Sequence, residues 1–200
     1  MLGIPDYEPN FFDRVDIFIK VFSDQLNQTI GLTLEDYWLM WQTQDNEWYN
    51  DGPVILKIGN RQFEFTAYKL DEFSLTFDKI DLNKKLDWYG AGADIPLVWK
   101  NKCNTGMNKL IGRKITDISV VAYNFISTVI DDKVNPKNIG RIDETGFMLH
   151  GIEFKFEKRG LFDNNNFLQI FNALDSNGVA NKEQKGNKQY QKISIVKTTL

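Results

Sequence analysis

Histidine and cysteine are almost absent from this chain, since His150 and Cys103 are the single residues of their types among 200. A lone cysteine forms no internal disulfide, so nothing in the sequence requires an oxidising compartment. Zinc sites built from several Cys and His ligands are excluded by number. A Ser-His-Asp or Cys-His arrangement would depend on His150, and we expect neither His150 nor Cys103 to be catalytic.

Loops that bind phosphate are also missing. The chain contains neither Gly-x-x-x-x-Gly-Lys-Ser/Thr nor Gly-x-Gly-x-x-Gly, and Gly90-Ala-Gly92 lacks the third glycine. The oxygen-rich segments at 163–166 and 175–178 do not continue into an EF-hand loop, so we interpret both as turns. The sequence therefore predicts no catalytic residues, no cofactor and no metal ion.

Long apolar runs are lacking as well, and none approaches the ~20 residues that a membrane helix requires. The start of the chain, Met1 to Glu8, has no basic region followed by an apolar core. We therefore expect no signal peptide, no membrane partner and a cytoplasmic location. A composition of 42% apolar and 26% charged residues is typical of a globular protein.

Charge and tryptophan are unevenly distributed along the chain. Residues 1–100 carry 17 acidic and 9 basic side chains (net −8), and residues 101–200 carry 10 and 15 (net +5). The positive excess lies mostly in the last 23 residues, which we interpret as a solvated basic end. An acidic body argues against nucleic-acid binding. All five tryptophans lie in the acidic half: Trp38, Trp41, Trp48, Trp88 and Trp99.

One helix is predicted near the N-terminus. Asn10 is a typical N-cap residue, and apolar residues then follow at helical spacing to about Thr29. A strand is the alternative, because the apolar residues between Val15 and Val21 also alternate. The helical register is preferred because it places Phe11, Val15, Phe18 and Phe22 on one face, which we expect to cover a sheet.

After Gly31 the pattern changes to short alternating runs separated by turn residues. We predict strands at 54–58, 62–68, 73–77, 95–99, 114–125, 147–156, 167–171 and 191–196. The first three predict an antiparallel meander with one buried face. The expected fold is mainly β, with antiparallel sheets arranged as a sandwich or as two related β modules and with one N-terminal α-helix.

A short internal repeat favours the arrangement as two related β modules. Residues 27–36 and 108–117 share the pattern Asn-x-x-Ile-Gly-x-x-apolar-x-Asp, residues 56–58 resemble 154–156, and 81–83 resemble 175–177. The second copy would contain an insertion near 127–145. A true repeat predicts an acidic, Trp-rich module at 1–100 and a second β module with a basic end at 101–200, whereas a chance match leaves one compact domain.

Two Trp-Tyr pairs are the most informative local feature. Each lies in a turn-like segment beside carboxylates, and the two segments contain Asp45, Glu47, Trp48, Tyr49 and Asp51, and Asp87, Trp88, Tyr89 and Asp94. The rings could close the end of a β core. Exposed rings would instead anchor a protein partner, and the acids would steer a basic one toward them. Carboxylates beside aromatic rings are also typical of glycosidases.

Segments 108–112, 151–156 and 168–177, within a short chain rich in Asn, Asp, Trp and Tyr, resemble small bacterial β proteins grouped with the immunity proteins of polymorphic toxin systems. The resemblance implies a non-enzymatic protein that masks a toxin, and it assigns no functional residue. We therefore predict a protein-binding module for a basic partner. The alternative is a carbohydrate-active protein, glycosidase-like or sugar-binding, that uses Asp or Glu beside Trp or Tyr.

Overall fold

The computed structural model describes residues 3–87, 96–131, 133–160, 163–183 and 188–195. Strands contain 47% of the chain and helices 12%, which confirms the mainly β fold predicted from the sequence. The first sheet contains β1 (Phe11–Phe12), β2 (Leu34–Gln42), β3 (Glu47–Trp48), β4 (Val54–Ile58), β5 (Arg61–Tyr68), β6 (Glu72–Phe77) and β7 (Leu97–Asn101). The second contains β8 (Ile115–Thr128), β9 (Ile142–Phe156), β10 (Phe167–Asn172), β11 (Asn177–Ala180) and β12 (Tyr190–Ser194). The helices are α1 (Val15–Thr29) and α2 (Thr105–Asn108), with a short 3-10 turn at Pro136–Asn138.

The two antiparallel sheets share one strand order. Without the two-residue strands β1 and β3, the first sheet runs β6-β5-β4-β2-β7 and the second runs β11-β10-β9-β8-β12. Their registers also correspond, because Asp36 pairs with Lys57 and Asp117 pairs with Lys155, each directly after a bulge. Segments 27–36 and 56–58 thus occupy positions equivalent to 108–117 and 154–156. Residues 81–83 and 175–177 are not equivalent, since the former follow β6 and the latter lead into β11.

The equivalent Ile-Gly turns meet at the junction of the sheets. Gly31 N donates to Ile115 O over 2.8 Å, and Gly112 N donates to Leu34 O over the same distance. Leu34 N bonds Arg113 O (3.0 Å), and Ile115 N bonds Leu32 O (2.9 Å). Both glycines have positive φ, +93° and +77°, a conformation that costs glycine little. The four bonds are reciprocal and relate the sheets by a local pseudo-two-fold axis.

One main hydrophobic cluster fills the space between the sheets and draws residues from both, as well as from α1. Phe65 of the first sheet meets Phe154 of the second edge-to-face, with 6.0 Å between ring centroids. Helix α1 buries Phe18, Phe22 and Leu26 in this cluster. The apolar stripe therefore has the orientation that the helical register predicts for Phe18 and Phe22.

The predicted start of this helix is wrong. Helix α1 begins at Val15, and its N-cap residue, Arg14, makes no side-chain cap hydrogen bond. Phe11 and Phe12 instead form β1, which pairs with Ser74 and Phe73 of β6. The free edge of β6 offers backbone partners that the local sequence does not reveal, and this pairing overrides the N-cap signal at Asn10.

A second, smaller cluster covers the outer face of the first sheet, and it includes Tyr7, Met40, Ile55, Ile80 and Leu86. The segments before β1 and after β6 fold over this face. They are fixed there by buried polar contacts. The Tyr7 hydroxyl lies 2.6 Å from Thr66 Oγ1, and the fully buried Glu64 carboxylate accepts from Thr76 Oγ1 (2.6 Å), Gln62 Nε2 (2.7 Å) and Lys79 N (2.9 Å).

Two buried asparagines join the β10–β11 turn to the end of the first sheet. Asn177 Oδ1 accepts from Ala67 N (2.9 Å), and its Nδ2 donates to Gly52 O (2.9 Å). Asn172 Nδ2 donates to the carbonyls of Lys69 (2.9 Å) and Glu72 (3.1 Å). These directional bonds fix how the sheets are aligned, which apolar contacts alone do not.

Replacing Asn177 with alanine leaves the amide of Ala67 and the carbonyl of Gly52 buried without their partner. Because such groups are costly, we expect Asn177→Ala to lower the free energy of unfolding by about 2 to 3 kcal/mol in urea denaturation. The control is Asn164→Ala, at an exposed turn position. Equal, small losses in both variants would contradict the role of Asn177.

Candidate functional site

The acidic residues Asp45 and Glu47 lie in the hairpin between β2 and β3, and both side chains are exposed. Neighbouring polar contacts fix the hairpin: Trp41 Nε1 and Lys100 Nζ both donate to Asn46 Oδ1, over 3.1 and 3.2 Å. The Lys100 ammonium also lies 4.0 Å from the centre of the Trp41 ring. The two acids therefore project from an anchored turn.

The adjacent rings, Trp48 and Tyr49, are half-buried and pack against different clusters. Trp48 contacts the main core between the sheets, and Tyr49 contacts the second cluster on the outer face. Successive residues of an extended chain point to opposite faces, which explains the division. Each ring therefore leaves only part of its surface for a partner, and the two do not form one continuous platform.

Asp51 follows these rings, and its side chain is exposed. Its segment is bound to the second sheet, because the carbonyl of Asn50 accepts from Asn177 N over 2.8 Å. Partial burial raises the pKa of the Asp51 carboxyl above its usual value, and the negative charge of Asp175 raises it further. Asp51 is thus positioned by the contact between its segment and the start of β11.

The second predicted Trp-Tyr segment is only partly covered by the structure. Asp87 is exposed, and its backbone N–H donates to Gly3 O over 2.8 Å. Trp88, Tyr89 and Asp94 lie outside the described residues. Leu86 belongs to the same cluster that Tyr49 packs against, so the chain enters the second segment from the outer face of the first sheet. The predicted four-ring patch stays a prediction.

A two-stranded ribbon, residues 125–147 without position 132, projects from the second sheet. It consists of the outer parts of β8 and β9, where Ile126 pairs with Glu144 and Thr128 with Ile142. Strand β12 pairs with β8 only over 119–123, and β10 pairs with β9 only over 151–155. Among the described strands, none pairs with the outer part of either ribbon strand.

The ribbon carries six exposed large apolar side chains: Ile126, Ile130, Val134, Ile139, Ile142 and Phe147. Val134 is 96% exposed and Ile130 is 87% exposed, so these two side chains are almost fully accessible to solvent. The sequence predicts an insertion at 127–145 but does not identify it as a surface for binding. The available signal was the series of apolar residues within a segment that has no equivalent in the first half.

The two reactive residue types lie in ordinary packing environments. His150 is half-buried between Tyr123 and Phe171, with 5.2 Å between its ring centre and each of theirs, and burial lowers its pKa to about 4. Cys103 Sγ donates to Lys100 O over 3.3 Å, and burial raises the pKa of its thiol. Among the described residues, His150 contacts two aromatic rings and Cys103 Sγ binds a backbone carbonyl, and the expectation that neither is catalytic stays a prediction.

The two oxygen-rich turns use their carboxylates to bind backbone N–H groups. Asp163 accepts from the amides of Arg159 and Asn165, and the Arg113 guanidinium pairs with it, so the pKa of Asp163 is held well below its usual range. Asp175 Oδ1 accepts from Lys69 N over 2.6 Å. Across the described ranges, no three His, Cys, Asp or Glu side chains converge to hold a metal ion, and neither helix is long and apolar enough to cross a membrane.

No protein-family model, no curated protein and no solved structure matches the chain. The resemblance to immunity proteins therefore stays a prediction.

The half-buried imidazole of His150 makes stability depend on pH. Its pKa is about 4 when folded and ~6.5 when unfolded, so the unfolded chain binds the proton more tightly. The free energy of unfolding should therefore fall by about 2 kcal/mol as the pH decreases from 7 to 4.5. His150→Phe should remove this part of the loss, measured by urea denaturation across that range. An unchanged pH dependence in the variant would exclude His150 as its source.

Proposed function

We propose that this protein is a non-enzymatic protein-binding module whose main contact surface is the ribbon. The observation that supports the proposal most directly is the near-complete exposure of Ile130 and Val134 at the outer end of a two-stranded arm. Monomeric proteins seldom expose several large apolar side chains together unless the surface is used for binding. A partner that covers the ribbon would bury these apolar side chains, and their burial would contribute to the free energy of binding.

The physical properties of the ribbon favour a protein partner. Two paired strands without further support are only marginally stable in water, so covering them stabilises the ribbon itself. Their outer edges also present backbone N–H and C=O groups without strand partners among the described residues, which another chain can pair with. Aliphatic anchors beside free backbone groups are therefore suited to a polypeptide.

The charge of the first half favours a basic partner. Residues 1–100 have a net charge of −8, and Asp45 and Glu47 project from the anchored β2–β3 hairpin. Exposed acids raise the rate at which a basic protein finds its binding site, and the exposed parts of Trp48 and Tyr49 add contact area beside them. The partner that the resemblance suggests is a toxin, which the protein would mask in the cytoplasm.

Ribbon residues should account for the affinity. The first partner to test is any toxin that a neighbouring gene encodes, and its binding is measured by surface plasmon resonance. The double variant Ile130→Ser, Val134→Ser should weaken binding about tenfold or more, mainly through faster dissociation, because it removes apolar contacts without disturbing the core. Sedimentation of the isolated protein shows whether a second copy occupies the ribbon instead.

The matched control is Leu174→Ser, which removes an apolar side chain that is 60% exposed outside the ribbon. It should leave the affinity unchanged. Equal binding by the ribbon variant and the original protein would contradict the role of the ribbon, and dimers that the ribbon variant abolishes would replace the foreign partner with a second copy.

Acid residues of the hairpin should affect association more than dissociation. We expect the double variant Asp45→Asn, Glu47→Gln to slow association with the basic partner about threefold at low salt and to reduce the salt dependence of the rate. Asp24→Asn with Glu35→Gln changes the net charge equally at other exposed positions. Identical kinetics of the two double variants would assign the steering to the net charge and exclude a local role of the hairpin.

A further inference from the structure

A groove on the outer face of the first sheet, away from the ribbon, has the features of a ligand site. Its volume is about 510 Å³, within the usual range for small-molecule sites. A second cavity of about 240 Å³ adjoins it and shares Leu82 and Trp99 with it. The two cavities therefore lie side by side on this face. The first cavity is lined by Trp38, Lys57, Asn60, Gln62, Asp78, Leu82, Asn83 and Trp99.

Two tryptophans form one side of the groove. Trp99 of β7 pairs with Met40 of β2, which places it diagonally from Trp38 on the same face of the sheet. Both indoles are half-buried against the second cluster, so each is held in place while part of its ring borders the cavity. Fixed aromatic faces bind the apolar faces of planar or ring-shaped ligands at little cost in conformational entropy.

The opposite side is held by the buried carboxylate of Glu64. Glu64 binds the backbone of Lys79, and Gln62 Nε2 donates to Ile80 O over 2.8 Å. These bonds fix the chain that continues to Leu82 and Asn83. Because the protein's own contacts anchor both sides, the groove is preorganised, which lowers the cost of binding.

The unpaired charges of the groove are positive, although the first half is acidic. Asp78 is already bound by the Arg61 guanidinium (3.2 Å) and by Gln62 N (2.8 Å). Lys57 in the first cavity and Lys85 in the second form no ion pair and no hydrogen bond within the described part of the chain. Asp36 lies opposite Lys57 on β2, but its carboxylate accepts from Tyr37 N (2.9 Å) and Asn101 Nδ2 (3.1 Å) instead. An anionic ligand would therefore find two free ammonium groups with Trp99 between them.

The second sheet provides an internal comparison. Lys155 occupies the position equivalent to Lys57, but its ammonium lies 3.4 Å from Glu183 and 3.7 Å from Asp117. Lys192 stands at the position of Trp99 and pairs with Glu153 and Glu183, over 2.7 and 3.0 Å. In the second sheet the lysines at these positions are paired with acids. In the first sheet the equivalent positions hold Lys57, which forms no ion pair among the described residues, and Trp99.

From this combination we propose that the groove binds an acidic oligosaccharide, with pyranose rings against Trp38 and Trp99 and carboxylates near Lys57 and Lys85. Sugar hydroxyls suit the amide of Asn60, which borders the cavity and has no other partner among the described residues. Two adjoining cavities suit a ligand of several linked rings. A nucleotide fits less well, because the described residues that line the groove include neither a glycine-rich loop nor a helix N-terminus to hold phosphate.

The test is a titration of the full chain with trigalacturonate and, separately, with a hyaluronan tetrasaccharide. Calorimetry and tryptophan fluorescence measure the dissociation constant of each. Neutral cellotriose and AMP are the comparison ligands. We expect at least one acidic oligosaccharide to bind, and to bind about tenfold more tightly than cellotriose, because only it pairs with the lysines. Tighter binding of AMP, or no binding of either acidic oligosaccharide, would overturn the proposal.

Variants locate the site. Lys57→Gln should weaken acidic binding about fivefold and reduce the preference over cellotriose, and Trp99→Ala should weaken binding of both about tenfold. The matched controls are Lys155→Gln, at the position equivalent to Lys57 in the second sheet, and Trp41→Ala, whose ring lies under the Lys100 ammonium. Neither control should change the affinity for any of the oligosaccharides. Because Lys57 is exposed, its variant tests the site even if Trp99→Ala is unstable. Equal losses in variants and controls would overturn the proposal.

Discussion

The reciprocal hydrogen bonds between the two Ile-Gly turns are the constraint on which the arrangement of the sheets depends. The backbone N–H of each glycine, Gly31 and Gly112, donates to the first residue of the strand that follows the other turn. The start of β2 is therefore fixed by contact with the start of β8, and the reverse is also true. Positive φ at both turns confines the positions to glycine or to strained alternatives. Strand orders, bulges and registers then repeat on either side of the junction.

The two sheets have equivalent backbones, but the polar side chains on their outer faces make different contacts. In the second sheet, Tyr190 and Lys192 bind the buried Glu153 over 2.9 and 2.7 Å, so the polar groups satisfy each other. Burial raises the pKa of the Tyr190 hydroxyl above its usual value. In the first sheet, the buried Glu64 binds backbone amides instead, and the chain it anchors borders an open groove. The buried carboxylate of Glu153 therefore binds polar side chains of its own face, whereas that of Glu64 holds the chain that borders the groove.

The ribbon is the largest departure from this correspondence. Strands β8 and β9 are 14 and 15 residues long, whereas β2 and β4, their equivalents, are 9 and 5 residues long. The extra length lies beyond the neighbours β10 and β12, and no other strand among the described residues pairs with it. The insertion therefore adds apolar surface to the protein without enlarging its core, which is why we place the proposed protein contact there.

Local periodicity determined much of the architecture. The alternating runs predicted the meander of β4, β5 and β6, but its prediction of one buried face was wrong, because the second cluster buries the outer face as well. The helical stripe placed Phe18 and Phe22 in the core, and the shared Ile-Gly pattern occupies equivalent turns. These features follow from side-chain spacing, which is a property of the chain itself. The start of α1 was wrong because the backbone partner of Phe11 and Phe12, the edge of β6, is distant in sequence.

Tertiary structure alone decided which residues share a surface. Trp48 and Tyr49 are neighbours in sequence but pack against different clusters, whereas Trp38 and Trp99 are distant in sequence and border one groove. Exposure of the ribbon likewise depends on where β10 and β12 stop pairing. Sequence spacing specifies the face of a strand that a side chain occupies, but only the pairing of strands and the packing of sheets specify what lies beside it, because those contacts join residues far apart in the chain.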